Sequence, residues 1–513
     1  MVTTPPSAGA RMGTPAGRWV LLATIFGSGM AMLDATVVNI ALPSIGRDFG
    51  ADFRTLQWIV NAYALTLAAL ILLAGALGDH FGRRRVFIIG VTWFALASLL
   101  CGLAPTAEIL VAARALQGIG GALLTPGSLA IISSSFVATD RAKAVGAWSG
   151  LSGVAAAIGP FLGGYLVLLS WRAVFLINLP VAVFIVVVSL RHVADTLDAQ
   201  SPPGLDLTGS VLAAAGLAGL TYALTSLGSG AGGGAEVVAA GVGGLVALVA
   251  FVEVERRSPH PLVPLGLFAD RRFSVANAVT FVVYAGLGVF FFMLVLHLQI
   301  VARFSPLVAG TALLPVTVLM LLLSARAGAL AERIGPRLPM SLGPLLAAMG
   351  FLLTLRIGRA ASYLGDVLPA VLMMGLGLSL TVAPLTATVL NSADPRYAGT
   401  ASGVNNAVAR SAGLLAVAVI PAVAGLAGTD YTNPVTFEAG FRTAMLISAG
   451  LLALGGLLAA VLLHEPRPAV IAVPTERIPV ERCSHCGITG PQLHPSSHAS
   501  PFHSSRHGDI SGF

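Results

Sequence analysis

The sequence predicts an all-α, polytopic membrane protein of about fourteen spans. Three observations predict it: the scarcity of charge, the recurrence of long apolar runs and an internal repeat. Of 513 residues, 56% are hydrophobic and only 10% are charged, whereas a soluble domain carries about 25% charged residues. No soluble core hides that much apolar surface, so the bilayer is the solvent. The net charge of +7 does not indicate nucleic acid, because the basic residues stand singly or in short clusters between apolar runs, not along one polar face.

Apolar runs close to the ~20 residues that cross hydrocarbon place spans near 19–42, 56–77, 86–104, 108–133, 144–168, 173–190, 206–227, 236–253, 273–300, 307–330, 338–355, 366–390, 401–427 and 440–463. The polar segment 1–18 precedes a first run longer than a signal-peptide core, so that run reads as a retained span. An even number of spans puts both termini on one side. Basic residues collect in cytoplasmic loops, and a cytoplasmic N-terminus leaves thirteen of them inside, Arg83, Arg84 and Arg85 included, against seven outside. Both termini are therefore expected in the cytoplasm.

The repeat refines the architecture. Gly75-Ala-Leu-Gly-Asp79-His-Phe-Gly82-Arg-Arg84 follows the second run, and Gly328-Ala-Leu-Ala-Glu332-Arg-Ile-Gly335-Pro-Arg337 follows the tenth. Glycine, leucine, acid, glycine and base recur in register at the difference between positions 328 and 75, 253 residues. Two parallel homologous six-span halves produce such a repeat. Eight spans separate the copies where six are expected, so two additional helices lie between the halves. The expected organisation is a six-helix bundle over 19–200, the two additional helices over 201–258, a second bundle over 259–463, and a disordered cytoplasmic tail over 464–513.

Charges inside the apolar runs are the first candidates for function. Asp34 lies mid-span, where a carboxylate costs roughly 2.5–3.5 kcal/mol even on the lenient insertion scale. A carboxyl there is suited to proton coupling, since gain or loss of its proton shifts the preference between conformational states. The alternative is an Asp held by a partner merely to fix packing. Arg114 in the fourth run cannot discharge, so it must face protein or water. It could stabilise ionised Asp34 or a substrate, or snorkel toward the interface near Glu108. Arg410, within the thirteenth run, is a further intramembrane cation. Asn39, Asn61, Tyr63, Tyr284, His297 and Gln299 are candidate cavity residues, with ordinary interhelical contact as the alternative for each.

The stretch Gly153-Val-Ala-Ala-Ala-Ile-Gly159-Pro160-Phe-Leu-Gly163-Gly164 sets small residues at helical spacing around a proline, which reads as a packing face with a kink. Asp79 with Arg83 and Arg84 at a boundary reads as an interfacial anchor unless the repeat gives it more. Cys483 and Cys486, with the tail histidines, form a single Cys-x-x-Cys, a weak metal signal; no metal or cofactor is expected. Nothing matches the P-loop pattern, and the sole lysine, Lys143, sits in a short loop, which disfavours an ATP-driven pump.

Taken in order, these motifs resemble the major facilitator superfamily, specifically its fourteen-span drug:proton antiporter branch, over nearly all of 19–463. The run at 33–43 resembles the first-span signature of that branch, Gly75 to Arg84 the superfamily loop motif, Arg114, Gln117 and Gly118 the fourth-span motif, and Gly153, Gly159, Pro160, Gly163 and Gly164 the fifth-span antiporter motif. The resemblance implies two bundles that rock to expose a central cavity to each side in turn. In that scheme Asp34 and Arg114 handle the proton, while Asp79, Arg83, Arg84, Gly159 and Pro160 gate the change. It also implies export of drugs or amphipathic metabolites by a monomer. Two positions depart from the pattern: His297 stands where an aromatic is usual, and Ser411 follows Arg410 where the branch commonly has Gln. His297 could tune pH dependence, as imidazole changes charge near physiological pH. The competing readings are a proton symporter or facilitator for uptake and, more remotely, a membrane-embedded sensor or enzyme.

Overall fold

The computed structural model describes residues 10–196, 206–227, 234–394, 397–428 and 430–463. The tail with Cys483 and Cys486, and most of the glycine-rich turn between the additional helices, lie outside the described residues. The first half comprises α1 (Pro15–Phe49), α2 (Phe53–Phe81), α3 (Arg83–Leu103), α4 (Ala107–Ser135), α5 (Ala138–Leu169), and a sixth span broken into α6 (Ala173–Leu176) and α7 (Asn178–His192). The additional pair is α8 (Leu207–Leu227) and α9 (Ala235–Arg257). The second half comprises α10 (Arg271–Ile300), a span broken into α11 (Pro306–Thr311) and α12 (Leu314–Ile334), then α13 (Arg337–Leu353), α14 (Leu368–Asn391), α15 (Ala398–Val423) and α16 (Pro434–Leu462).

Every expected span has its helix. Thirteen are long and apolar enough to cross a membrane. The fourteenth is α5, 32 residues long, whose apolar part is Ile158–Leu169. The helices overrun the apolar runs because hydrogen bonding, not hydropathy, ends them. Asp52 caps α2 through Thr55 N, Thr106 caps α4, and Asp270 caps α10 through two backbone N–H groups. α1 continues through Arg47 and Asp48 until Gly50 takes φ 59°. Both broken spans carry proline just past the break, Pro180 and Pro315, whose missing N–H removes the bond that would join the pieces.

The repeat seen in sequence is also a repeat in space. Gly82 and Gly335 end their helices at φ 107° and 86°, where a side chain would be strained. The base two positions on, Arg84 or Arg337, then donates to a carbonyl at the far end of its own half: Arg84 to Val193 O at 3.1 Å, Arg337 to Ala460 O at 2.7 Å. Helix pairings repeat as well. In the first half α1 packs on α5 and α7, α4 on α2 and α3, and α3 on α7. In the second, α10 packs on α15 and α16, α14 on α12 and α13, and α13 on α16. Glycine permits these close approaches, since a Cβ on Gly120 would lie 2.6 Å from Phe94 N, and one on Gly350 2.7 Å from Met374 N.

The additional hairpin is held through α8, which packs on α2 and on α15 and so touches both halves. Arg54 donates to Ser226 Oγ at 2.9 Å and lies over the Tyr222 ring. Its partner α9 exposes Val238, Val242, Leu245, Val246 and Val249, an apolar face suited to lipid.

Polar bonds between the halves gather at the end remote from Arg83 to Arg85. Gln57 Nε2 donates to Val417 O at 2.7 Å, Gln299 Nε2 to Ile40 O at 3.1 Å, and Tyr431 Oη to Ala51 O at 2.6 Å. Phe53 N donates to Gly428 O at 2.8 Å. Here too the fifth-span motif meets the second half, for a Cβ on Gly164 would stand 2.6 Å from Leu307 Cα, and Gly310 packs against the Pro160 carbonyl.

Candidate functional site

Five spans of the first half converge on Asp34. The carboxyl is inaccessible to solvent, as is Arg114 but for 1% of its surface. Arg114 NH1 approaches Asp34 Oδ2 at 2.5 Å and Gln117 Oε1 at 2.6 Å, while Nε donates to Ile59 O at 3.1 Å. Its guanidinium lies over the Tyr63 ring, 4.4 Å from the centroid, with Phe175 beyond at 5.8 Å. On the opposite carboxyl oxygen, Gln117 Nε2 donates to Oδ1 at 2.8 Å and Asn178 Nδ2 at 3.4 Å. Ser98 Oγ accepts from both amides, at 2.8 Å and 3.2 Å, and Cys101 Sγ lies 3.6 Å from Gln117 Oε1.

The arrangement presents three donors to one carboxyl buried from solvent. Only a strong, well-oriented partner offsets the desolvation of a buried charge pair. Snorkelling of Arg114 toward Glu108 is excluded by this geometry: the guanidinium points inward to Asp34. Tyr63, expected in a cavity, walls the pair on one side. Ser98 and Asn178 escaped the sequence reading because neutral polar side chains in apolar runs carry a weak signal. Gln117 was visible only through its motif.

The remaining candidates fall in three places. Arg410 on α15 is half-buried and donates no hydrogen bond among the described residues; α15 packs on both α2 and α10, the helices that carry Tyr63 and Tyr284. Asn61 is buried with neither amide atom bonded, and Asn39 Oδ1 is likewise unpartnered. Gln299 belongs to the inter-half contact described above, not to an open cavity. His297 departs most from expectation, for the imidazole is fully buried, stacked on Phe441 at 3.8 Å between centroids, with Nε2 2.7 Å from Ile357 O. It is packing in the second half and faces no cavity in this conformation.

The gating candidates divide. Gly159 and Gly163 seat α5 on α1, where a Cβ would stand 2.5 Å from Thr36 Oγ1 and 2.7 Å from Val37 Cγ1, and Pro160 meets Gly310 across the halves. Asp79 pairs with Arg83 at 2.8 Å one turn on, and Arg85 with Asp195 at 2.8 Å. Arg83 N donates to Thr196 O at 3.1 Å. These bonds tie the loop to the end of α7 within its own half.

The sequence matches the Major Facilitator Superfamily over residues 24–417. Puromycin resistance protein pur8 of Streptomyces alboniger is 37% identical over 476 residues, covering 90% of this chain and 94% of that protein. The probable actinorhodin transporter of Streptomyces coelicolor is 34% identical over 474 residues, covering 87% and 82%. Among solved structures, a bacterial homologue of the human lysosomal transporter Spinster, crystallised inward-facing, superposes with a TM-score of 0.63 at 17% identity over 88% of this chain and 97% of its own. That likeness concerns the fold alone. With the profile spanning most of the chain and two relatives aligned almost end to end, this protein belongs to the Major Facilitator Superfamily.

Proposed function

We propose that the chain is a proton-coupled exporter of antibiotic-like, amphipathic compounds, working by alternating access in the bacterial inner membrane. The observation that carries the coupling is the buried Asp34–Arg114 pair, a proton-exchanging group held where no water reaches it in this conformation. The direction is supported by relatives named for puromycin resistance and actinorhodin transport. With the Arg83 to Arg85 loop cytoplasmic, the bonds between halves lie on the outer side, and the conformation is inward-facing. Arg410, Tyr63, Tyr284 and Asn61 then border the substrate path, and Asp79 with Arg83 and Arg84 rejoins the halves only when the inner side closes. Protonation of Asp34 from outside and its release inside drive the cycle. One proton moving down about 150 mV supplies about 3.5 kcal/mol, enough for a roughly few-hundredfold gradient.

Energised, everted membrane vesicles test this. Substrates presented to the exposed cytoplasmic face, chosen from lipophilic cations and aromatic antibiotics, are expected to enter the acidified lumen and release protons from it, and an uncoupler abolishes both. A compound that instead leaves the lumen together with protons would support uptake by symport.

A further inference from the structure

We propose that Asn178 is a positioning residue that reads the charge on Asp34 and passes it to the break in the sixth span. The inference rests on Asp34 being the proton carrier, and goes beyond it by naming the element that moves.

Asn178 opens α7 immediately after the break that follows α6, and only 2% of its surface is exposed. Its amide donates to two atoms, Asp34 Oδ1 at 3.4 Å and Ser98 Oγ at 3.2 Å. No hydrogen bond reaches its Oδ1 among the described residues. The other two donors to the carboxyl are anchored elsewhere. Arg114 is fixed by Ile59 O and the Tyr63 ring, and Gln117 is held at both ends, by Ser98 and by Arg114. Asn178 has the longest bond to Asp34 and, of the five spans around that carboxyl, sits on the one that is interrupted.

A carboxylate accepts all three donors. Once a proton adds to Oδ1, that oxygen donates one O–H and keeps room for a single donor, where the Gln117 and Asn178 amides both now donate to it. The weakest-held donor leaves first, and its departure frees the first turn of α7 from α1. Phe175, one residue before the end of α6, stacks near the Arg114 guanidinium, so both sides of the break face the ion pair. The titratable and charged groups around Asp34 are Arg114 on α4, Tyr63 on α2 and Cys101 on α3, with Arg410 farther off on α15, which packs on α2. None lies on α6 or α7, so the sixth span senses the proton through the neutral amide of Asn178.

The test measures substrate affinity against pH on purified full-length protein in detergent, together with proton release in proteoliposomes, for wild type, Asp34→Asn, Asn178→Leu and Asn178→Ser. Leucine matches the volume without hydrogen bonding; serine restores a donor. Loss of one donor to the ionised form makes Asp34 hold its proton more tightly, so the midpoint in Asn178→Leu moves to higher pH by about 0.7 unit, the worth of one typical hydrogen bond. Asn178→Ser recovers at least half of that shift. Affinity at the acid plateau stays within about twofold of wild type, which separates the effect from simple misfolding. An unchanged midpoint in both Asn178 variants, with Asp34→Asn uncoupled, overturns the role of Asn178 and leaves that of Asp34 standing. Full coupling in Asp34→Asn overturns both. If the leucine variant does not fold, Asn178→Ala takes its place, since alanine also removes the donor: a shift to higher pH supports the role, and an unchanged midpoint overturns it.

Discussion

Asp34 and Arg114 form a pair in which each residue makes the other tolerable. Removing the cation alone leaves a carboxylate buried without compensation, a change that costs about 3–5 kcal/mol in comparable settings. Arg114→Leu is therefore expected to lower the thermal midpoint sharply, and Arg114→Leu combined with Asp34→Leu to recover much of the loss; thermal unfolding of the two variants in detergent checks this. Both charges were legible in sequence because a charge in an apolar run has no cheap explanation. Ser98 and Asn178 were not, because a serine or asparagine there satisfies itself in many ways and its partner is 80 residues distant in the chain. His297 misled for the opposite reason. Its departure from an aromatic pattern suggested chemistry, whereas stacking on Phe441 shows an imidazole filling an aromatic's place.

At the level of helices, glycine decides how closely spans approach, and the result differs by position. Gly120 meets the backbone of α3, which cannot yield, so Gly120→Leu forces α4 off α3 and is expected to cost about 1–3 kcal/mol as overpacking. Expression and thermal midpoint report it. Gly164 meets Leu307 of the other half. Gly164→Val should leave each half intact and instead weaken closure at that end, raising accessibility of a reporter thiol placed there to a membrane-impermeant reagent. The apolar runs found a helix for each expected span, thirteen of them long and apolar enough to cross a membrane, yet could not foresee the breaks before Asn178 and Leu314. An apolar run reads the same whether its hydrogen bonds are continuous or interrupted, and only Pro180 and Pro315 hinted at them.

Over the whole molecule, the repeat at Gly82 and Gly335 gave the two-half plan, and the structure extends it to matching pairings and matching Arg84 and Arg337 anchors. What sequence could not supply was which ends of the halves touch, since that depends on the conformational state and not on the fold. The bonds Gln57 to Val417 and Tyr431 to Ala51 put the contact at one end. Cysteines at Gln57 and Val417, in a background lacking Cys101, Cys483 and Cys486, should be joined by a short thiol crosslinker, and joining them should stop transport. Efficient crosslinking with full transport would show that the halves need not part there.

The most direct test of the account compares wild type and Asp34→Asn in proteoliposomes, measuring proton-gradient-driven transport beside exchange of labelled for unlabelled substrate without a gradient. Exchange retained with gradient-driven transport and proton release abolished is the predicted result. Gradient-driven transport at the wild-type rate in Asp34→Asn would contradict it, and the buried pair would then be a packing device with the proton carried elsewhere.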